Sequence, residues 1–521
     1  MPAGLRVLAR VVLAGLVAGC ASFPENAPRE AGREHTGYRY DVVDAATDPQ
    51  RNDPRTLVLL AFSGGGTRAA AMAYGVLEQL RATCITFPGR PRSRLLDEID
   101  VISSNSGGSY TAGYYGLFRE RSFDPEQPDP ATDCQSDETA NSGVDRSAPP
   151  FTDAFLNQRI ESRFLQALLN PYNVARLTSP QYNRTDLTAE ILSETVFASD
   201  GNPHVFGEMV SLGKPFIVLN AQDDARGNRF QFTQEYFDFI CSDVSTFPVG
   251  RAVMASSAVH GAFRAVRLIN YPKDDCIEPA WVTNALSLDQ HPRALEANPK
   301  RYQDARTVRI YRDKECWTEP PENCAEKARQ PHFVRLNDGG TVDNLGIRAL
   351  VDGLESPIHD PNLLGRIQVG EVDRVLLISV NAAGEPDNDM ERRMADVGVI
   401  ELISSAVNAA IDTTTGDSQG VVKTMLQRRR QDFGAPPWYD PVLISFEHLP
   451  DRVQGRCLKN VPTRLQLSPG QVNAVRQAGA SLLTQSSAFQ TFLADYDGVA
   501  APLPDLLDGH DFCEATGWVS S

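Results

Sequence analysis

A chain of 521 residues, 41% of them hydrophobic, can bury a large core and has the composition of an ordinary globular protein. Its 67 acidic residues outnumber its 50 basic ones, which gives a formal net charge of −17. An acidic surface is repelled by the phosphates of nucleic acids and of anionic lipids. Nucleic acid is therefore disfavoured as a partner, and attachment to a membrane needs another source of affinity.

The N-terminus has the layout of an export signal. Two arginines precede an apolar run at 11–18, which is too short to span a bilayer. The run ends in the letters LVAGC, whose last four resemble the bacterial lipobox, in which the cysteine is acylated. We expect a signal peptide over 1–19, a lipid on Cys20, and an outer-membrane location facing the periplasm, since Ala21 is not acidic. An ordinary cleaved signal and a plain membrane anchor are the alternatives.

Cysteine usage agrees with export. Nine cysteines less Cys20 leave eight, and an even number outside the cytosol indicates disulfides. No C-x-x-C pair occurs, so a zinc or redox motif has no support. Chain order suggests that neighbours pair, with Cys316 and Cys324 the closest couple, and free buried cysteines are the alternative. The eight are Cys84, Cys134, Cys241, Cys276, Cys316, Cys324, Cys457 and Cys513.

Short apolar strands alternate with helices along most of the chain. This alternation predicts a three-layer α/β/α fold around a mainly parallel central sheet. We expect one domain over 55–521, with insertion loops. Strands are predicted at 57–62, 99–103, 216–219, 375–380 and 442–446, and helices at 69–80, 112–120, about 393–412 and after Ser468, with Pro469 in the first turn.

Three stretches lack this alternation. Residues 20–54 are polar, with scattered proline, glycine and charge, and predict a lipid-anchored tether. Residues 121–150 are rich in Asp, Pro, Ser and Thr and predict an insertion loop held by Cys134. Residues 285–330 are predicted to be irregular.

A glycine-rich turn joins the first strand to the first helix. Ser63 is followed by Gly64, Gly65 and Gly66, whose backbone N–H groups can approach a ligand closely because no Cβ intervenes. The helix that follows points its positive end at the same place. The dinucleotide pattern G-x-G-x-x-G is matched only loosely, and the P-loop pattern is not matched. An oxyanion hole for acyl transfer and a plain tight turn remain.

Two further motifs carry reactive side chains. Ser106 lies in Ser-Asn-Ser-Gly-Gly at 104–108, between a strand and a helix, where a G-x-S-x-G nucleophile elbow would lie, although Ser104 replaces the first glycine. Asp338 precedes two glycines after an apolar-leaning run. Each motif alone is also consistent with an ordinary turn.

The order of the three motifs is the one found in patatin-like phospholipases, which the sequence resembles over about 56–385. Ser63–Ala69 is similar to the S-G-G-G-x-R-A form shared with cytosolic phospholipase A enzymes. His260 stands where the family usually has proline. The other family-like segments are 214–221 with 230–233, which resemble a central strand pair, 255–263, and 342–346.

The resemblance implies a Ser–Asp dyad. Ser106 would attack an ester carbonyl, and Asp338 would accept the serine proton and return it. The amides of Gly65 and Gly66, with Gly64 assisting, would hold the oxyanion. A carboxylate acting as base without histidine needs a raised pKa or a dry site.

Two other side chains near these motifs have open roles. Arg68 supports charge near the oxyanion hole or braces the loop, and an ordinary surface arginine fits the sequence equally well. None of the eight histidines lies in a triad motif. For His260 we therefore expect a structural or pocket-lining role rather than catalysis.

The implied activity is hydrolysis of lipid acyl esters, of the phospholipase A kind, through an acyl-serine intermediate. The partners would be phospholipid or another acyl ester and, through the lipid anchor, a membrane. No metal or cofactor is implied, and acidic pairs such as Asp274-Asp275 are interpreted as solvated. The alternatives are a lipase, esterase or thioesterase on other substrates, or a catalytically inactive lipid-binding envelope lipoprotein. Ser104 and His260 keep the inactive alternative open.

Overall fold

The structure is a computed structural model. The residues it describes are 21–30, 32, 36–49, 52–125, 134, 147–271, 280–287, 299–312, 332–355, 363–385, 399–433 and 438–517. The predicted signal peptide, Cys20 and the Cys316–Cys324 pair lie outside the described residues. Most of the stretch predicted to be irregular, 285–330, lies outside them too, but its described residues 285–287 and 299–312 are helical, so the prediction is wrong there.

Fifteen strands are found in the described part of the chain. They are β1 (Ala27–Pro28), β2 (Thr56–Phe62), β3 (Thr83–Ile85), β4 (Ser93–Arg94), β5 (Ile99–Asn105), β6 (Ala198–Ser199), β7 (Asn202–Pro203), β8 (Phe216–Asp223), β9 (Asn228–Gln231), β10 (Ser242–Asp243), β11 (Val266–Ile269), β12 (Phe333–Asp338), β13 (Arg374–Asn381), β14 (Val442–Ser445) and β15 (Val499–Ala500).

Helices fill much of the rest of the described chain. They are α1 (Tyr40–Ala46), α2 (Gly66–Arg81), α3 (Gly107–Phe118), α4 (Ile160–Leu169), α5 (Pro171–Leu177), α6 (Arg184–Thr195), α7 (Phe206–Ser211), α8 (Gln234–Phe239), α9 (Val249–Ser256), α10 (Ala280–Ser287), α11 (Pro299–Arg312), α12 (Gly340–Asp343), α13 (Arg348–Glu355), α14 (Leu363–Gln368), α15 (Val399–Phe433), α16 (Arg452–Lys459), α17 (Pro469–Gln485), α18 (Ser487–Asp495) and α19 (Phe512–Thr516). Within the described residues, none is long and apolar enough to cross a membrane.

The central sheet has eight strands. Its order is β11-β12-β8-β5-β2-β13-β14, with β9 paired to β8. The pairs from β8 to β14 are parallel, whereas β12, β11 and β9 are added antiparallel at one side. Strands β2 and β5 are buried along their whole length, which requires helices on both faces. The predicted α/β/α fold around a mainly parallel sheet is confirmed.

The C-terminal third completes one helical layer. Helix α17 packs along α2 so closely that a Cβ on Gly479 would lie 2.5 Å from the carbonyl oxygen of Met72. The predicted cap is found: Ser468 Oγ accepts a hydrogen bond from Gln471 N at 3.3 Å, and Pro469 occupies the first turn. Helix α15 extends to Phe433, about twenty residues beyond the predicted end.

The described residues of the predicted tether pack against the body of the protein. Phe23 is buried, β1 pairs with β10, and α1 packs on α7 and β8. Tyr38 accepts a hydrogen bond from Ile217 N at 2.7 Å and donates one to Ile217 O at 3.1 Å, alongside β8. A few aromatic side chains thus dock a segment whose average composition is polar.

Two of the predicted neighbour disulfides are present. Cys84 bonds to Cys134, which ties the insertion loop to β3, and Cys457 bonds to Cys513. Cys241 is also disulfide-bonded. Free buried cysteines are therefore excluded for these five positions.

Candidate active site

The three predicted motifs meet at one edge of the sheet. The glycine turn follows β2 and Ser106 follows β5, and these two strands are parallel neighbours, so their carboxyl ends lie side by side. Asp338 ends β12, which pairs with β8 through Asp338 and Ala221. Strand β8 is the other neighbour of β5, and this arrangement brings residues 232 positions apart into contact.

The turn at Ser106 is a strained elbow. Its φ of 46° lies in a region that non-glycine residues rarely adopt, and Ser106 N donates to Ser256 Oγ at 2.8 Å. The next residue must be glycine, because a Cβ on Gly107 would overlap the backbone of Gly66. The close approach of this turn to the glycine turn therefore requires glycine at position 107, directly after the strained Ser106. This geometry is typical of a nucleophile elbow.

Ser104 fits the elbow without glycine. Its side chain is fully buried, and its hydroxyl lies 3.1 Å from Ser109 Oγ, within hydrogen-bond reach. Its carbonyl accepts a hydrogen bond from Asn220 Nδ2 at 3.0 Å. The departure from G-x-S-x-G therefore leaves no unpaired hydroxyl at the turn.

Ser106 and Asp338 are hydrogen-bonded. Ser106 Oγ donates to Asp338 Oδ2 at 2.9 Å, and the other carboxylate oxygen, Oδ1, accepts from Gly340 N at 2.8 Å. Asp338 N donates to the carbonyl of Ala258 at 3.1 Å. The first glycine after Asp338 has a packing reason, since a Cβ on Gly339 would overlap the side chain of Asn105. The carboxylate is thus held from both sides and faces the serine hydroxyl.

Burial tunes the carboxyl group. Desolvation raises the pKa of Asp338 from 3.8 to about 6, against the opposing effects of the hydrogen bonds from Gly340 and Ser106 and the charge of His260. A pKa near 6 leaves the group ionised at neutral pH, yet basic enough to take a proton. This is the electrostatic condition that a dyad without histidine requires.

The glycine turn has two backbone N–H groups without an acceptor among the described residues. Gly65 and Gly66 have φ of 135° and 60°, and within the described chain their N–H groups donate no hydrogen bond. They lie where an α-helix begins, so they also lack intrahelical acceptors. Gly64 differs, because its N–H donates to Asn344 O at 3.0 Å. The expectation that Gly64 assists the oxyanion is therefore corrected: it borders Ser106 but its donor is used.

Arg68 is buried rather than exposed at the surface. Its Nε donates to Ala382 O at 2.8 Å and its Nη1 donates to Val461 O. No carboxylate pairs with it among the described residues, and burial lowers its pKa to about 10. Arg68 therefore braces the loops behind the glycine turn, and the surface-arginine alternative is wrong.

His260 lies outside the dyad. Its Nε2 is 2.8 Å from Asp224 Oδ1, and Asp224 Oδ2 accepts a hydrogen bond from Asn337 Nδ2 at 2.5 Å. The imidazole is partly exposed and acts on Asp338 through its charge only. A Ser-His-Asp triad is not formed.

Three residues that support the site were not predicted from the sequence. Ser256 receives the Ser106 amide, and Asn344 receives the Gly64 amide. From α15, Thr414 Oγ1 lies 3.5 Å from the carbonyl of Gly340. Ser256 and Asn344 lie in segments that resemble the family, which was the available signal. Thr414 lies just beyond the end of the helix predicted at about 393–412. The described residues hold no cluster of His, Cys, Asp and Glu suited to a metal ion.

Replacing Gly66 by alanine is expected to lower kcat about 10²- to 10³-fold, the size of effect seen when one oxyanion donor is lost. The new Cβ would lie 2.5 Å from Arg464 O, and φ is positive, so the turn must shift. Gly201→Ala is the matched control, because it has φ of 79° but open space around it. Ester turnover and thermal unfolding of both variants are measured. Equal kcat in the two variants would contradict a role for this turn.

A strained serine hydrogen-bonded to a buried aspartate, at the edge of an α/β/α sheet, is an arrangement that can support nucleophilic attack. The sequence model of the patatin-like phospholipases matches residues 60–351, more than half of the chain. The chain belongs to this family. No curated protein matches the chain.

Solved structures give weaker matches. Human GIVD cytosolic phospholipase A2 is 14% identical over 68% of this chain and 49% of its own, with a TM-score of 0.31. Its complex with methyl gamma-linolenyl fluorophosphonate and terbium chloride is 17% identical over 49% and 36%, with a TM-score of 0.23. VipD from Legionella pneumophila is 12% identical over 97% and 96%, with a TM-score of 0.18. The chain spans about half the length of the first of these structures.

Proposed function

We propose that the protein hydrolyses acyl esters of lipids, in the manner of a phospholipase A, through a Ser106–Asp338 dyad. Membership of the patatin-like phospholipases supports a lipid acyl hydrolase at the level of the family. The observation that carries the finer proposal is the 2.9 Å hydrogen bond from Ser106 Oγ to a buried carboxylate of raised pKa.

The acylation step follows from this geometry. Asp338 accepts the proton of Ser106 as Oγ bonds to the ester carbonyl carbon, and the carbonyl electron pair moves onto oxygen. The amides of Gly65 and Gly66 donate to that oxyanion. Collapse of the tetrahedral intermediate breaks the ester C–O bond, and Asp338 returns the proton to the leaving alcohol. An acyl-serine remains.

Deacylation reverses these roles with water. Asp338 takes a proton from the attacking water, a second oxyanion forms at the same amides, and its collapse breaks the acyl–Oγ bond. The proton on Asp338 then returns to Ser106 Oγ. The free carboxylic acid leaves, and the dyad is restored without a metal or cofactor.

The substrate class is tested by incubating the protein with diacyl phospholipids and, separately, with short-chain nitrophenyl esters. We expect fatty acid release from both, and no release by Ser106→Ala. Turnover of nitrophenyl esters alone would replace the phospholipase proposal with a lipase, esterase or thioesterase. No turnover and no labelling by a serine-reactive fluorophosphonate would favour a lipid-binding lipoprotein without activity.

Attachment to the membrane is proposed through an acylated Cys20. The supports are the lipobox-like letters at 17–20 and Ala21 after them, which fits sorting to an outer membrane facing the periplasm. Radiolabelled fatty acid is expected to enter the wild-type chain and not Cys20→Ser. Equal incorporation in both would overturn the anchor.

A further inference from the structure

An apolar patch is concentrated on one pair of short helices. Of the ten large hydrophobic side chains that are exposed among the described residues, five fall between 165 and 174, in α4 and α5, and they are 38% to 73% exposed. We call them the hairpin patch. Soluble proteins rarely concentrate exposed apolar surface without an interaction to use it. The hairpin patch consists of Leu165, Leu168, Leu169, Tyr172 and Val174.

The hairpin is fixed to the body by its opposite side. Ile160 is buried, and Phe164 packs against the core, one position before the exposed Leu165. Asn173 Nδ2 donates to the carbonyl of Ala167 at 3.0 Å and ties α5 to α4. Helical spacing therefore gives one face to the core and the other to the surroundings.

The hairpin adjoins the glycine turn of the proposed active site. Leu465 N donates to Glu161 Oε1 of α4 at 3.0 Å. The preceding residue, Arg464, accepts a hydrogen bond from Thr67 N at 2.8 Å and lies against Gly66. A cavity of about 770 Å³ lies between α4 and residues 462–471, with Leu165 and Arg464 in its wall. Two consecutive residues, Arg464 and Leu465, thus connect the hairpin to the glycine turn.

The N-terminal segment reaches the same hairpin. Ser179 Oγ, two residues past the end of α5, donates to the carbonyl of Ala21 at 2.6 Å. Phe23 N donates to Gln181 O at 3.0 Å. Ala21 is joined to Cys20 by one peptide bond, so a lipid on Cys20 would enter the membrane from this side of the molecule.

Charge distinguishes the hairpin from the rest of the chain. Residues 157–178 contain three arginines, Arg159, Arg163 and Arg176, and one acid, Glu161, which gives +2 against −17 for the whole chain. Arg176 is paired with Glu190, whereas Arg159 is exposed. Exposed leucines and a tyrosine flanked by arginines fit the boundary between anionic head groups and acyl chains.

We propose that the hairpin patch docks on an anionic lipid surface and holds the neighbouring glycine turn of the proposed active site close to it. This inference rests on the proposed function, since it assigns the surface that presents the ester. Insertion of the apolar side chains would supply affinity that the acidic remainder of the protein cannot supply.

The test uses the full chain with Cys20→Ser in every variant, so that no acyl anchor contributes. Leu165→Ser/Leu169→Ser/Tyr172→Ser is compared with a matched control, Val369→Ser/Val453→Ser/Val499→Ser, whose three side chains are 44% to 71% exposed elsewhere on the surface. Co-sedimentation with vesicles of phosphatidylethanolamine and phosphatidylglycerol measures binding. We expect the hairpin variant to bind at least about tenfold more weakly, and the control to bind as the parent does.

Three outcomes overturn the proposal: unchanged vesicle binding by the hairpin variant, an equal loss in the control, or conversion of an oligomer to monomer with vesicle binding intact, which would assign the patch to a second copy of the chain. Turnover of a dispersed nitrophenyl ester separates this proposal from the proposed function. The hairpin variant is expected to keep that rate. If Ser106→Ala kept it too, the proposed function would fail, and vesicle binding would still decide the role of the patch.

Discussion

Ser106→Ala is expected to lower ester hydrolysis by at least about 10⁴-fold, because no acyl-serine can form without Oγ. The fold should persist. Ser106 has a φ of 46° and its backbone N–H donates to Ser256 Oγ at 2.8 Å, and neither feature depends on the Ser106 hydroxyl. Initial rates with a nitrophenyl ester measure the loss, and thermal unfolding confirms that the variant is folded. A fluorophosphonate label, which bonds to an activated serine, should disappear together with activity.

Ser104→Gly is the control within the same elbow. It restores the G-x-S-x-G pattern and removes a hydroxyl that reaches Ser109 rather than Ser106. We expect it to keep most of the activity and to lose about 1 kcal/mol of stability, because glycine is costly in a strand. Labelling that survives in Ser106→Ala would show that another serine is the nucleophile. A large loss in Ser104→Gly would show that the Ser104–Ser109 contact positions the elbow.

The parts of the site that could be predicted from the sequence are those that depend on neighbouring residues in the chain. A sharp turn after a buried strand needs glycine where two backbones meet, as at Gly66 and Gly107. A run of β-forming residues precedes each motif, and this predicts that the motif lies at the carboxyl end of a strand. Resemblance to one family then supplied what local patterns could not, namely that Asp338 belongs with Ser106.

The parts that the sequence left hidden depend on contacts between distant segments. The hydrogen bond from Gly64 N to Asn344 O spans 280 positions, and no local pattern predicts it, although Asn344 lies in a segment that resembles the family. Burial of Arg68 follows from two carbonyls contributed by the far C-terminal half. Docking of Phe23 against the body likewise depends on a surface formed by residues more than 150 positions away. Polar composition alone therefore did not predict that the described part of the tether contacts the body.

Asp338→Asn is expected to lower kcat about 10³-fold or more, because an amide cannot take the serine proton. In the wild type, kcat/KM should follow the ionised fraction of Asp338, whose pKa of about 6 places the acidic limb in an accessible range. We expect a fall of about tenfold between pH 7 and pH 5, and a plateau above pH 7. Rates with a nitrophenyl ester across this range test both expectations.

His260→Ala is the matched control for this pH profile. Its imidazole pairs with Asp224 and reaches Asp338 through charge alone, so most activity should remain. A loss as large as that of Asp338→Asn would restore a histidine to the mechanism. A rate that is flat down to pH 5 in the wild type would show that Asp338 is not the base.

As pH rises, the free energy of unfolding should fall while the activity rises. Burial raises the pKa of Asp338 above its value in the unfolded chain, so between about pH 4 and pH 6 the folded state binds the proton more tightly. Stability is therefore lost as pH rises through this window, and the loss persists at pH 8. Asparagine is neutral and can keep both hydrogen bonds, accepting from Gly340 and donating to Ser106. Asp338→Asn should then raise the free energy of unfolding by about 1–3 kcal/mol at pH 8 and by little at pH 4. Denaturant unfolding at the two pH values measures the difference. A variant less stable than the wild type at pH 8 would show that the ionised carboxylate holds the site together rather than straining it.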